Sequence, residues 1–227
     1  MAGKKGKEKP RVVDIELSCL KEMLRKAEGD EDGIIYQVGD TEKQYRYVLW
    51  EKGNNPLICI GANPSEAGRD ENHPTDPTIT RIRNLVKRIN ETEGDEFDGW
   101  IMLNLYPQRT PKPKALHKEE TYDKEVMKKN HEIIQIMFDE FKKAKTLLAW
   151  GNIIDLEERE YLKESFKKIV SIGGQRKWCI RGEMTLKNNP RHQLYVKGGT
   201  KMEPVRIDEG GKICKIGMQE MSEILGK

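Results

Sequence analysis

The sequence has no apolar run longer than a few residues. A membrane-spanning helix needs about 20 consecutive apolar residues, so no such helix and no membrane partner are expected. Cysteine is scarce. Cys19, Cys59, Cys179 and Cys214 stand far apart, without the Cys-x-x-Cys spacing of a zinc or iron–sulfur site. The four histidines are also scattered. These patterns lead to the expectation of no metal and no cofactor. The site of action is expected to be the reducing cytoplasm. A large charge of one sign is lacking too. The formal net charge of +3 does not by itself declare a polyanionic partner, but it is compatible with one if positive charge clusters. The basic start, "MAGKKGKEKPR", has no apolar segment after it. It is expected to be a disordered basic tail rather than a secretory signal.

What is present is one domain's worth of chain. Charged residues (35%) nearly equal hydrophobic ones (36%), which is polar for a globular protein, yet 227 residues suffice for one sizeable core. Val13 to Lys26 carries Ile15, Leu17, Leu20 and Leu24 at helical spacing. "GIIYQVG" and "YRYVLW" read as two strands joined by a polar turn. Leu57 to Ile60 reads as a buried strand, followed by a helix with Ile79, Ile82, Leu85, Val86 and Ile89 on one face. Trp100 to Tyr106 is the next strand. A helix from about Tyr122 to Lys143 and a short strand, Thr146 to Trp150, come after it. A charged helix, "LEEREYLKESFKKI", and the strand Lys177 to Ile180 complete the pattern. "GKICKI" and "MQEMSEIL" are expected to close the chain as a strand and a helix.

Strands alternating with helices predict an α/β protein. The expected form is a three-layer α/β/α sandwich around a central, mainly parallel, four-stranded sheet. Residues 1–44 are expected to form a tail, a helix and the first strand, 45–205 the α/β domain, and 206–227 an added strand and helix. In such sheets ligands bind at the carboxyl ends of the strands. Four unusual sequences fall there: Gly61-Ala62-Asn63-Pro64-Ser65, Asn104-Leu105-Tyr106-Pro107, Trp150-Gly151-Asn152 and Pro190-Arg191-His192. Each has a plain reading taken singly. Asn-Pro is a common turn start, Asn104 could satisfy a strand end, Trp150 could be core, and His192 could lie on the surface. Together they are expected to line one cleft.

Gly61-x-Asn63-Pro64 resembles the first motif of the uracil-DNA glycosylase superfamily, in the form used by its mismatch-specific and thymine-specific branch. Trp100–Pro107, Leu147–Gly151 and Arg191-His192-Gln193-Leu194 resemble that superfamily's later motifs in the same order. More closely, the run from about Tyr45 to Tyr195 resembles the bacterial domain of unknown function 1643. The pattern includes Asn63-Pro64-Ser65, Asp76-Pro77-Thr78-Ile79, Asn104-Leu105-Tyr106-Pro107, Trp150-Gly151 and Pro190-Arg191-His192-x-Leu194-Tyr195.

The glycosylase resemblance implies a metal-independent hydrolase of DNA repair type, excising a damaged or modified base from DNA or another nucleic acid. A duplex base would be flipped out at a cost of roughly a few kcal/mol. Asn63 would orient the attacking water, and His192 would donate to charge growing on the base. Asn104 would read the base edge with a donor and an acceptor. Gly61, Ala62, Pro64, Ser65, Tyr106, Trp150 and Gly151 would form the rest of the substrate pocket, the glycines letting backbone come close.

The departures are Ser65 in place of a glycine and Gln193 in place of a proline, and no catalytic Asp follows the first glycine. The base is therefore left open. The alternatives are a non-catalytic reader of a modified base or nucleotide, and a hydrolase of small nucleotides. Arg81, Arg109, Lys112, Lys114, Arg191 and Lys197 cluster along the predicted cleft, with Arg83 and Lys187 nearby. They suit phosphate contacts, and Leu194 could wedge into a duplex. "EAGRDENHPTDPTI" is expected to be a flap, with Asp76 capping the following helix. The protein is expected to act as a monomer.

Overall fold

The computed structural model describes residues 11–25, 34–65, 77–197 and 199–216. The first strand, β1 (Arg11–Asp14), leads through a 3-10 turn at Leu17–Cys19 into the short helix α1 (Leu20–Arg25). Strands β2 (Ile34–Gly39), β3 (Arg46–Glu51) and β4 (Pro56–Gly61) follow. Helix α2 (Pro77–Glu93) precedes β5 (Gly99–Asn104), and α3 (Lys124–Glu140) precedes β6 (Lys145–Leu148). Helix α4 (Tyr161–Gly173) leads to β7 (Lys177–Arg181), then β8 (Met202–Ile207) and β9 (Ile213–Lys215).

The expected four-stranded, mainly parallel sheet is wrong. The sheet has nine strands in the order β1-β2-β3-β5-β4-β6-β7-β8-β9 and is mixed. The β4–β5, β4–β6 and β6–β7 pairs are parallel, whereas β2–β3, β3–β5, β7–β8 and β8–β9 are antiparallel. The β2–β3 hairpin is part of this sheet because Leu49 and Trp50 are completely or almost completely buried in it. Residues 11–14 are also a strand, not the start of a helix. β1 pairs in parallel with β2, from Arg11 opposite Ile34 to Asp14 opposite Gln37, and sheet hydrogen bonding overrides the helical spacing of the apolar residues. Strand β8 was not expected. Its Pro204 stands opposite Cys179 on an antiparallel neighbour.

The two sheet faces carry separate apolar clusters. Ile58, Ile60, Ile101 and Leu103 face Ile133, Ile134 and Phe138 of α3 and Leu162, Phe166 and Ile169 of α4. Leu57, Cys59 and Trp100 face Ile79, Ile82, Leu85 and Ile89 of α2. Each such fully buried side chain contributes about 1.5–3 kcal/mol, enough to fix α2 on its face. Helix α3 begins where the Asp123 side chain accepts hydrogen bonds from the Glu125 and Val126 amides. Among the described residues, no helix is long and apolar enough to cross a membrane.

Between α3 and α4, His131 Nε2 lies 2.9 Å from Ser165 Oγ, and that hydroxyl donates to the Leu105 carbonyl at 2.6 Å. Burial, aided by the charge of Lys168, pushes His131 down to about 4. The unfolded chain protonates this ring near 6.5. In that interval the unfolded state binds more protons, so the contribution of His131 to stability is complete above pH 6.5. It is lost as pH falls towards about 4. Urea midpoints recorded from pH 7 to pH 4 should fall, and His131→Gln should shallow the fall. Parallel profiles for the two proteins would remove this role.

Candidate functional site

Gly61 and Asn104 are the last residues of β4 and β5 and stand opposite each other in the parallel ladder. Alternation along the strands puts both side-chain positions on the α2 face, with Cys59 and Met102 below them. Asn104 is 2% exposed. Its Oδ1 is buried and has no hydrogen-bond partner among the described residues. An unsatisfied buried acceptor costs about 1–3 kcal/mol. A Cβ at position 61 would lie 2.9 Å from that oxygen, so glycine there makes room for the carboxamide. Asn130 on α3 donates to the Asn104 carbonyl at 3.0 Å and fixes the strand end from behind.

The chain beyond β4 stays beside the chain beyond β5. The Leu105 and Tyr106 amides donate to Gly61 and Ala62, and the Thr110 amide donates to Pro64. Asn63 sits in this seam. Its Nδ2 donates to the carbonyls of Pro64 (3.0 Å) and Thr110 (2.8 Å). Both amide hydrogens are thus committed to acceptors, which fixes the amide orientation. Oδ1 has no hydrogen-bond partner among the described residues and remains as the acceptor. Two buried guanidinium groups lie behind the loop. Arg46, 2% exposed, reaches Ser65 Oγ at 3.5 Å. Arg109, 8% exposed, donates to Gln37 Oε1 at 2.9 Å.

The third part follows β6 and β7. Gly151 has φ +66°, in the left-handed region that favours glycine. Its amide donates to the Pro190 carbonyl at 2.9 Å. A Cβ there would lie 3.3 Å from His192 Cβ, so His192 rests directly on this glycine. Burial, aided by the positive charge of Arg81 on α2, holds His192 below the ordinary histidine value. The ring is therefore mainly neutral at pH 7, able to donate one N–H without carrying a full charge. Arg181, 4% exposed, organises the loop by donating to the Thr200 and Lys197 carbonyls and to Gln193 Oε1.

The ends of β4 and β5 thus bring together Gly61, Asn63, Ser65 and Asn104, while Gly151, just after β6, and His192, in the loop after β7, lie against each other. Ala62 and Pro64 are buried, and Ala62 belongs to the apolar cluster on the opposite face. Tyr106 and Trp150 are not part of this group, because both rings belong to the apolar cluster on the opposite face. The Tyr106 hydroxyl accepts from the Asp123 amide at 3.1 Å, and its ring meets Tyr161 at 5.1 Å. The Trp150 ring lies 4.5 Å from Phe166.

Arg109 is buried and so does not belong to the exposed charge. Arg81, Lys112, Lys114, Lys187, Arg191 and Lys197 are exposed, and Arg191 Nε donates to the Glu183 carbonyl at 2.8 Å. Arg83 is bound to Glu51. Leu194 belongs to a 3-10 turn, Gln193–Tyr195, rather than a strand, and its side chain lies outside the described residues. The expected flap, Asp76 included, and the expected helix at 218–225 also lie outside them. The sequence reading missed Arg46, Thr110 and Arg181. An arginine opening the apolar strand "RYVLWE" was the available signal for the first, and Thr110 and Arg181 left none.

The family model described as "Protein of unknown function (DUF1643)" matches residues 46–194. No curated protein and no solved structure matches the chain.

Proposed function

The chain belongs to the DUF1643 family, and on that footing we propose that it is an N-glycosidase that excises a damaged or modified base from a nucleic acid. The observation that carries this reading is the buried Asn104 Oδ1, an acceptor without a partner beside Gly61. It suits a ligand that brings its own donor, as the hydrogen-bonding edge of a base does. Asn63 adds a fixed acceptor for water, and His192 adds a neutral donor at the neighbouring strand end. The short motifs that resemble the uracil-DNA glycosylases support the same assignment of roles.

In the proposed reaction the bond between the anomeric carbon and the base nitrogen breaks. Oxygen of the attacking water bonds to that carbon, and its proton ends on the departing base. Asn63 Oδ1 accepts a hydrogen bond from the water and aims its lone pair. The His192 N–H faces the base oxygen where charge accumulates, and Asn104 holds the base edge. Exposed Arg81, Lys112, Lys114, Arg191 and Lys197 supply phosphate contacts whose strength falls with salt.

The test is a panel of single- and double-stranded oligonucleotides, each carrying one modified base. Protein in excess should convert at least one of them to an alkali-labile product. Salt-sensitive binding without release from any would instead favour a reader of the base. Release from mononucleotides alone would favour a small-nucleotide hydrolase.

A further inference from the structure

We propose that the protein has a second ligand site, on the opposite face of the sheet, for an aromatic anion of mononucleotide size. A cavity of about 430 Å³ opens there, walled by Trp150, Phe166 and Met184 and rimmed by Lys163, Lys167 and Lys212. This volume falls in the range of small-molecule pockets. Trp150 is 1% exposed, and its Nε1 is buried without a hydrogen-bond partner. A buried indole N–H normally finds a partner; this one is shielded from water, while the ring of Trp150 lines the cavity.

The rim charge is unequally committed. Lys163 is bound to Asp155 at 3.0 Å. Lys167 meets Glu164 at 2.8 Å, but both side chains are largely exposed, which leaves that pair weak. Lys212 is exposed and has no ion pair among the described residues. Three lysines against the single aspartate of the lining favour an anion. Gly211 has φ +83°, and a Cβ there would lie 3.4 Å from Lys167 Cγ and 3.7 Å from Phe166, so this glycine lets the β8–β9 turn close one side.

The ligand's flat ring packs against Trp150, Phe166 and Met184, and its anionic tail reaches Lys212 and Lys167. Phosphate monoesters of nucleosides and of other aromatic rings share this chemistry. The site is independent of the glycosidase reading, because Asn63, Asn104 and His192 do not line it.

Calorimetric titration with uridine 5′-monophosphate, 1-naphthyl phosphate and uncharged uridine tests it. At least one phosphate should bind, with uridine at least tenfold weaker, and the tighter phosphate identifies the ring class. Phe166→Leu removes an aromatic face on which the ligand ring packs, and should weaken binding about fivefold. Lys212→Glu, an exposed change, should weaken binding more than tenfold. Asn104→Leu, which deletes the group assigned to hold a base in the strand-end pocket, should leave it unaltered. Three results would overturn the site: no heat from either phosphate at millimolar concentration, affinity unchanged in Lys212→Glu, or affinity lost in Asn104→Leu.

Discussion

His192→Ala is expected to slow base release by about 10²–10³ while substrate affinity stays near the parental value. A donor aimed at charge that exists mainly in the transition state is worth about 2.7–4 kcal/mol of barrier and little in ground-state binding. The donor is the neutral ring, held neutral by burial and by Arg81. Asn63→Ala should slow the same step, because the water loses its acceptor. Asn63→Asp replaces the amide by a carboxylate that can act as a base. It also removes the two hydrogen bonds from Nδ2 to Pro64 and Thr110, so its rate should lie between the alanine variant and the parent. Single-turnover rates on a saturating oligonucleotide decide the matter. Parental rates in both alanine variants would remove these two residues from the chemistry.

Asn104→Leu should separate stability from activity. The replacement is close in shape and apolar, and it deletes an acceptor that the folded protein buries without a partner. Unfolding free energy should hold steady or rise, by up to about 1–3 kcal/mol. Base release should fall by about 10² or more, since the group that reads the base edge is gone. Denaturant midpoints and release rates on the same samples give the answer. A variant that is less stable yet fully active would make Asn104 a structural residue and would take away the main support for the glycosidase reading.

The middle of the fold was legible because burial on both faces makes β4, β5 and β6 continuous apolar runs. The outer strands were not. In β1 the residues Val12 and Val13 are followed by Ile15, Leu17 and Leu20, which also suit a helix, and only the partner strand β2 decides between the two. In β8 a proline and two charged residues hide a strand whose hydrogen bonds are supplied by β7 and β9. The site was legible as a set of strand ends, but not in the direction of each side chain. Trp150 and Gly151 are adjacent in sequence, yet one packs on Phe166 and the other supports His192. Buried Arg46 and Arg181 escaped notice because arginine is mostly a surface residue. Partners such as Ser65 Oγ for Arg46 and the Lys197 and Thr200 carbonyls for Arg181 are distant in sequence.

The strand order has a consequence for self-association. In the nine-strand order, β1 and β9 are the outermost members, four and three residues long. An exposed edge is a template on which another chain can add a strand, and short, charged edges are poor templates. Here Asp14 and Lys215 are both exposed, and Lys215 holds Glu203 of the adjoining strand at 2.9 Å. The apolar strands that would template fibre growth, β3 to β7, are all interior. Those five strands reach an edge only if an outer strand detaches, so resistance to fibre formation should depend on the docking of β1 and of the β8–β9 hairpin.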